Sequence, residues 1–248
     1  MAKVVDLPAM GVAQQESWHA LMDLYDRVRT DWTLIGGQLV HLHCAERGVI
    51  PVRPTNDVDT VVDIRAAPGM LARFTGALTD LGFTPDTSAD GVQHRWRRDH
   101  AQIDVLIPEG VGERAAARLG AGGAPTVSAP GATQALSRSE PLVVRINGRI
   151  GTVLRPNLVG ALVAKAAART EVAVDRARTR HCTDFVVLAG LISARDFKET
   201  ELDKKDKKRL DAMIACCRSD DSAMAVGNAA ADLDRLERAA KLSDPMMR

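Results

Sequence analysis

Aromatic residues are scarce: Phe, Trp and Tyr together make up 3% of the 248 residues, with a single tyrosine. A core of ordinary size must therefore be built from Val, Leu, Ile and Ala. Cysteine is sparse too, at Cys44, Cys182, Cys216 and Cys217. None falls in a C-x-x-C pair, and the adjacent Cys216 and Cys217 are poorly placed to bridge each other. This argues against a disulfide framework and a structural zinc, and for a reducing, cytoplasmic setting. Neither sign of charge is in excess: 33 Lys and Arg stand against 32 Asp and Glu, a formal net charge of +1. A chain-wide basic surface is excluded, while a local basic patch stays open. No apolar run reaches the length of a membrane span, and the first residues lack a basic-then-apolar pattern, so no membrane association is expected. What remains, 46% hydrophobic and 26% charged, is the composition of one large globular domain or two small ones.

Apolar residues of 14–29 recur at helical spacing (Trp18, Leu21, Met22, Tyr25, Val28). "WTLIGG" reads as a short strand ending in two glycines, and "QLVHLHCAERG" as a helix closed by Gly48. "DVDTVVDI" reads as a strand and "PGMLARFTGALTDLG" as a helix. "VQHRWRR" and "AQIDVLIP" read as strands joined at Asp99-His100. Residues 109–133, rich in Gly, Ala and Pro, read as a loop or poorly ordered segment. Asn147-Gly148 between two β-like runs is a strong hairpin signal. After Pro156 every segment reads as helical. The expected fold is α+β: a mixed sheet flanked by helices over 1–155, followed by a helical bundle over 156–248.

Carboxylates are depleted from strands, yet Asp57 and Asp59 stand one residue apart in "RPTNDVDTVVDI". Residues i and i+2 of a strand share a face. The two carboxylates are thus side by side, where like charges repel and one pKa rises. A divalent cation removes that cost, since Mg²⁺ is held by one or two carboxylates plus substrate phosphates. Asp104, in "QIDVLI", brings a third carboxylate if its strand pairs beside the first. Such a set can clamp the attacking and leaving oxygens of a phosphoryl or nucleotidyl transfer. A lone D-x-D is also what a strand cap or an edge residue looks like. Asp63 shares the face by parity but sits at the strand exit, and is given no role.

Gly36-Gly37 falls between a strand and a helix, where a backbone can approach a phosphate closely and helix N–H groups attract it. Taken alone the pair is a tight turn. Thr55 offers a hydroxyl to a triphosphate oxygen, with Arg53 nearby as a charge; the plainer readings are a strand-edge Thr and a surface Arg. Lys165 is the one cation in the apolar run "LVGALVAKAAA". It either snorkels to solvent or faces a cleft as a point charge for phosphate. If it is unpaired, its removal should leave the melting temperature unchanged or higher. Arg176, Arg178, Arg180 and His181 in "RARTRH" are either solvated or contacts to an acidic acceptor. Asp184 either hydrogen-bonds Lys165 or steers an acceptor hydroxyl. No nucleophile–histidine pair is visible, and His41, His43, His94 and His100 lack metal-ligand spacing to a carboxylate motif.

The segments "LIGGQLVHL", "RPTNDVDTVV" and "QIDVLI" resemble the nucleotidyltransferase superfamily with a DNA polymerase β-like core. "RPNLVGALVAKAAART" followed by "RARTRHCTDFVVLAGLI" looks like the AbiEii-type branch, which includes the MenT toxins. The resemblance spans roughly residues 30–192 and matches Thr55, Asp57, Lys165 and Asp184 to that branch's pattern. The connection from Gly37 to Asp57, through "RGVIPVRP", is longer than in the compact form of the motif. The resemblance implies a metal-dependent transfer of a nucleoside monophosphate from a nucleoside triphosphate to a hydroxyl. Asp57, Asp59 and Asp104 would hold Mg²⁺ or Mn²⁺, Asp104 would help activate the acceptor, and Gly36, Gly37, Arg53, Thr55 and Lys165 would hold the nucleotide. It further implies an RNA acceptor, the 3′ end of tRNA, and a cognate antitoxin protein. Two alternatives stay open: transfer to an aminoglycoside or lincosamide hydroxyl, which the neutral net charge favours, and a catalytically silent nucleotide-binding protein.

Overall fold

The structure is a computed structural model, and it describes residues 4–51, 55–171, 175–198 and 200–242. The chain order is β1 (Val4–Asp6), α1 (Val12–Arg27), β2 (Trp32–Ile35), α2 (Gly36–Glu46), β3 (Val58–Val62), α3 (Met70–Asp80), β4 (Thr84–Asp86), β5 (Arg95–Arg98), β6 (Ala101–Pro108), α4 (Glu113–Ala116), β7 (Ser128–Ala129), α5 (Ala132–Ser137), β8 (Ser139–Ile146) and β9 (Arg149–Pro156). Among the described residues only helices follow: α6 (Leu158–Glu171), α7 (Asp175–Leu191), α8 (Ala194–Lys198), α9 (Lys204–Arg218), α10 (Asp221–Met224) and α11 (Ala229–Leu242). This is an α+β fold, strand–helix mixed up to Pro156 and helical beyond it.

The larger sheet has the strand order β2-β3-β6-β5-β4, with the short β7 added to β6. β3 and β6 run parallel, while β2–β3, β5–β6 and β4–β5 are antiparallel. A second sheet, β1-β8-β9, is built on the hairpin closed by Asn147 (φ 46°) and Gly148 (φ 80°). Two successive left-handed residues are what a type I′ turn requires. The sequence reading did not foresee β1, which pairs parallel with β8, Val5 opposite Val144. Residues 109–133 are a folded connection rather than a slack loop. Thr126 donates its hydroxyl to the Val105 carbonyl at 2.5 Å, and the Ile107 N–H donates to Val127 O at 3.0 Å.

Helix ends follow local chemistry. α3 stops at Gly82 (φ 85°), with the Phe83 N–H bonded back to Leu78 O at 2.9 Å, the six-to-one closure of a Schellman cap. α9 starts at Asp203, whose carboxylate accepts from the Asp206 N–H at 2.6 Å. One continuous apolar core, mainly aliphatic, runs from Val5 through the larger sheet into α6, α7, α9 and α11. The few aromatics are concentrated in it: Trp18, Trp32 and Trp96 are all buried, and Trp32 lies 5.5 Å from Phe74 between ring centroids. Truncating one such side chain to alanine costs about 3–5 kcal/mol. No helix among the described residues is long and apolar enough to cross a membrane.

Candidate functional site

A row of residues crosses the larger sheet in register. Ile35 of β2 stands opposite Asp59 of β3, Asp59 beside Asp104 of β6, and Asp104 opposite Arg95 of β5. Directly paired residues share a face, so two carboxylates and a guanidinium lie in one line. Arg95 holds Asp104 bidentately, Nε to Oδ1 at 2.9 Å and Nη2 to Oδ2 at 2.8 Å. Sequence reasoning named Asp104 and missed Arg95. The signal was an arginine in a short strand next to a strand with a buried Asp, but it needed the register to be visible.

The β2–α2 turn packs against this row. Gly36 has φ 73°, and a Cβ there would lie 1.9 Å from Asp59 Oδ2. A Cβ on Gly37 would lie 2.9 Å from Thr55 Oγ1. Both positions need glycine: the first for its left-handed backbone and close approach, the second for close approach alone. Thr55 Oγ1 donates to Asp57 Oδ1 at 3.3 Å. The segment before β3 is anchored by Gln38, a buried residue that sequence reasoning overlooked. Its amide donates to Thr55 O at 2.7 Å, and its carbonyl accepts from Gln14 Nε2 at 2.9 Å and Trp18 Nε1 at 3.1 Å. One side chain thus ties α1, α2 and the Thr55 strand approach together.

The helical half supplies the other wall. Gly36, Gly37, Thr55, Asn56, Asp57, Asp59, Lys165, Arg180, His181 and Asp184 line one cleft of about 540 Å³. Lys165 of α6 donates to Asp184 of α7, Nζ to Oδ2 at 2.7 Å, and both are buried. Lys165 is therefore not an unpaired cation. Its removal would take the ammonium away from a buried carboxylate, so the melting temperature is expected to fall rather than hold. Arg53 lies outside the described residues, as do the side chains of Arg176 and Arg178. Asp63 turns to Arg65, which holds its carboxyl below the usual range.

The electrostatics are uneven. Burial, then the neighbouring carboxylates of Asp104 and Asp57, push Asp59 up to about 7, against the opposing pull of Lys165 and Arg95. Asp57 is exposed, and Asp104 is committed to Arg95. Among the described residues no three His, Cys, Asp or Glu side chains are gathered as a ready-made metal cage. The donor set still fits a divalent cation shared with a ligand. Two oxygen-bearing carboxylates one residue apart, one of them destabilised in its charged form, suit a hard cation that completes its shell from phosphate and water. The N-terminus of α2, with its unsatisfied N–H groups, opens at the same place and suits the phosphates.

No family model matches the chain, and no curated protein matches it. Among solved structures it is similar to an antigenic nucleotidyltransferase-like protein from Paracoccidioides brasiliensis, at 13% identity over 91% of this chain and 94% of that one, with a TM-score of 0.49. It is also similar to the antibiotic-resistance factor ANT(2'')-Ia, at 13% identity over 87% and 96% of the two chains, with a TM-score of 0.42.

Proposed function

We propose that the protein is a metal-dependent nucleotidyltransferase that moves a nucleoside monophosphate from a nucleoside triphosphate to a hydroxyl. The observation that carries this reading is the make-up of the cleft. A Gly-Gly helix start, Thr55 and the Asp57–Asp59 pair face the Lys165–Asp184 pair across one space. Asp57 and Asp59 would hold Mg²⁺ or Mn²⁺, which neutralises phosphate charge and orients the triphosphate. Gly36 and Gly37 present the start of α2 to the phosphates, and Thr55 offers its hydroxyl beside them. Lys165 adds a fixed positive charge, aimed by Asp184. Asp104 takes the acceptor proton. An ionised carboxylate has about four acceptor sites and a bidentate guanidinium occupies about two, so Arg95 orients Asp104 without exhausting it.

The acceptor in this reading is RNA, specifically the 3′ end of tRNA. That choice, the role as toxin of a toxin–antitoxin pair and the cognate antitoxin rest on the AbiEii-type resemblance of Thr55, Asp57, Lys165 and Asp184. Exposed Arg180 and half-buried His181 at the cleft wall suit a phosphate-bearing acceptor. The test is label transfer. An α-labelled nucleoside triphosphate should label an RNA pool, tRNA above all, a γ-labelled one should not, and Asp57→Ala should abolish the signal. Label on an aminoglycoside and none on RNA would establish the antibiotic-modifying alternative. Nucleotide binding with no acceptor labelled would establish the silent one.

A further inference from the structure

Three thiols meet behind the helical wall of the cleft, and the reaction proposed above uses none of them. Cys182 lies on α7; Cys216 and Cys217 lie on α9. The Cys182 and Cys216 sulfurs are 3.5 Å apart, and Cys217 Sγ donates to Cys182 O at 3.7 Å. Arg169 of α6 brings Nη2 to 3.1 Å from Cys216 Sγ. Cys182 and Cys217 are fully buried, Cys216 is half-buried, and all three are free thiols. A closed zinc site would need a fourth donor, and Arg169 instead places a cation 3.1 Å from Cys216 Sγ.

We propose that Cys182 and Cys216 form a reversible disulfide, linking α7 to α9, by exchange with a low-molecular-weight disulfide of the oxidised-glutathione class. Closing from van der Waals contact to an S–S bond of about 2.05 Å asks for movement of only about 1.5 Å, shared between two helices. Cys216 and Cys217, adjacent on one helix, have no such path to each other. The half-buried Cys216 is the sulfur an outside reagent reaches. Its sulfur attacks the small disulfide, the S–S bond breaks, and the first small thiolate leaves and takes up the proton that Cys216 gives up. Cys182 then attacks Cys216 Sγ and expels the second small thiolate, which takes up the proton of Cys182. Two protein thiols are oxidised and one small disulfide is reduced to two thiols.

The surroundings favour the second step. Interaction with Cys217, then with Cys216 and Arg169, holds the Cys182 thiol below its usual range against the opposing effects of burial and Asp220. The resolving group thus gives up its proton more readily than an ordinary thiol. Cys182 sits between His181 and Asp184 in sequence, and both of those line the cleft. The crosslink would therefore fix the rotation of the helix that carries them. Formation of the bond does not depend on the nucleotidyltransferase reading, so its test is chemical rather than enzymatic.

The full chain is equilibrated in glutathione buffers of increasing oxidised fraction, quenched by alkylation, and mapped by peptide mass spectrometry. Wild type should lose two alkylatable thiols, yield a Cys182–Cys216 linked peptide, recover both thiols in reduced glutathione and melt higher when oxidised. Cys217→Ala should still yield the Cys182–Cys216 bridge, and Cys216→Ser should form no internal bridge. A wild-type product that stops as a glutathione adduct on Cys216, a bridge that contains Cys217, or no thiol loss would each overturn the proposal. The wild-type peptide map decides among these even if a variant fails to fold.

Discussion

Two polar clefts open at opposite ends of α2, and they differ in how their charges are settled. The cleft at its C-terminal end, about 410 Å³, is lined by His43, Glu46, Arg47, Glu140, Arg155 and Asp196, among others. Its charges are matched. Arg47 meets Asp196 at 2.5 Å, and Arg155 meets Glu46 at 2.7 Å and also pairs with Glu140. Burial alone would raise Glu46, yet the hydrogen bond from His43 and the guanidinium of Arg155 hold it below the usual carboxylate range. The cleft at the N-terminal end is the reverse: burial and then its carboxylate neighbours push Asp59 up, and the ammonium nearby already pairs with Asp184. Two cavities of similar size and polarity thus have different meanings. Matched charge reads as architecture, while a carboxylate left in an unfavourable field marks a candidate functional site, here the one to which the proposed function assigns a cation.

The largest expected effect separates the two ends by chemistry. Asp59→Asn keeps the shape of the side chain and removes its charge. In the label-transfer assay it should lower the rate about 10³-fold or more, equivalent to about 4 kcal/mol of transition-state stabilisation. A variant within tenfold of wild type would remove Asp59 from the machinery and undo the contrast. The counterpart is Arg155→Met at the other end. It takes the guanidinium away from the largely buried Glu46 and should cost about 3 kcal/mol of stability in chemical denaturation, with transfer retained in the protein that stays folded. Loss of transfer without loss of stability would mean that the matched cleft is functional after all.

How much of this contrast was visible beforehand depends on the range of the signal. Asp57-x-Asp59, Gly36-Gly37 and the Asn147-Gly148 turn are local patterns: the strand period, the turn chemistry and the helix start are contained in a few residues. Lys165 stood out because its neighbours are apolar. Arg95 did not, because an arginine in "RWRR" is ordinary until β5 is known to lie beside β6 with Arg95 opposite Asp104. Gln38 was hidden for the same reason, since its three partners lie on α1 and on the approach to β3. β1 was missed because a three-residue strand has almost no period, and its partner β8 lies far along the chain. The supposed slackness of 109–133 was an inference from composition, which cannot see hydrogen bonds to β6.

A third, smaller effect is pH-dependent and belongs only to the end with unmatched charge. The folded-state pKa of Asp59, about 7, lies above its ordinary value of 3.8. The folded protein thus holds a proton that the unfolded chain releases. This favours folding fully below about pH 4, and the advantage is lost as pH rises through about 7. In protein stripped of divalent ions, Asp59→Asn should match wild type near pH 4 and exceed it by about 2 kcal/mol near pH 8, after a discount for the carboxylate's access to water. Mg²⁺ should close the gap at pH 8 by stabilising wild type alone. A gap that does not change with pH would show that Asp59 is not held in an unfavourable field.

The smallest effect tests how deep the matching goes at the other end. Arg155 has two carboxylate partners of different exposure: the Glu46 side chain is 16% exposed and that of Glu140 50%. Glu140→Gln removes the outer charge and leaves the inner pair intact. The outer pair is screened by solvent, so the loss should be about 0.5 kcal/mol, read as a shift in the denaturant midpoint at unchanged slope. Glu46→Gln should cost several times more, because the charge that remains on Arg155 is buried with only its outer partner. If the two substitutions cost the same, the pairing is a surface network that happens to line a cavity. The inner ion pair would then not be what distinguishes this end of α2 from the other.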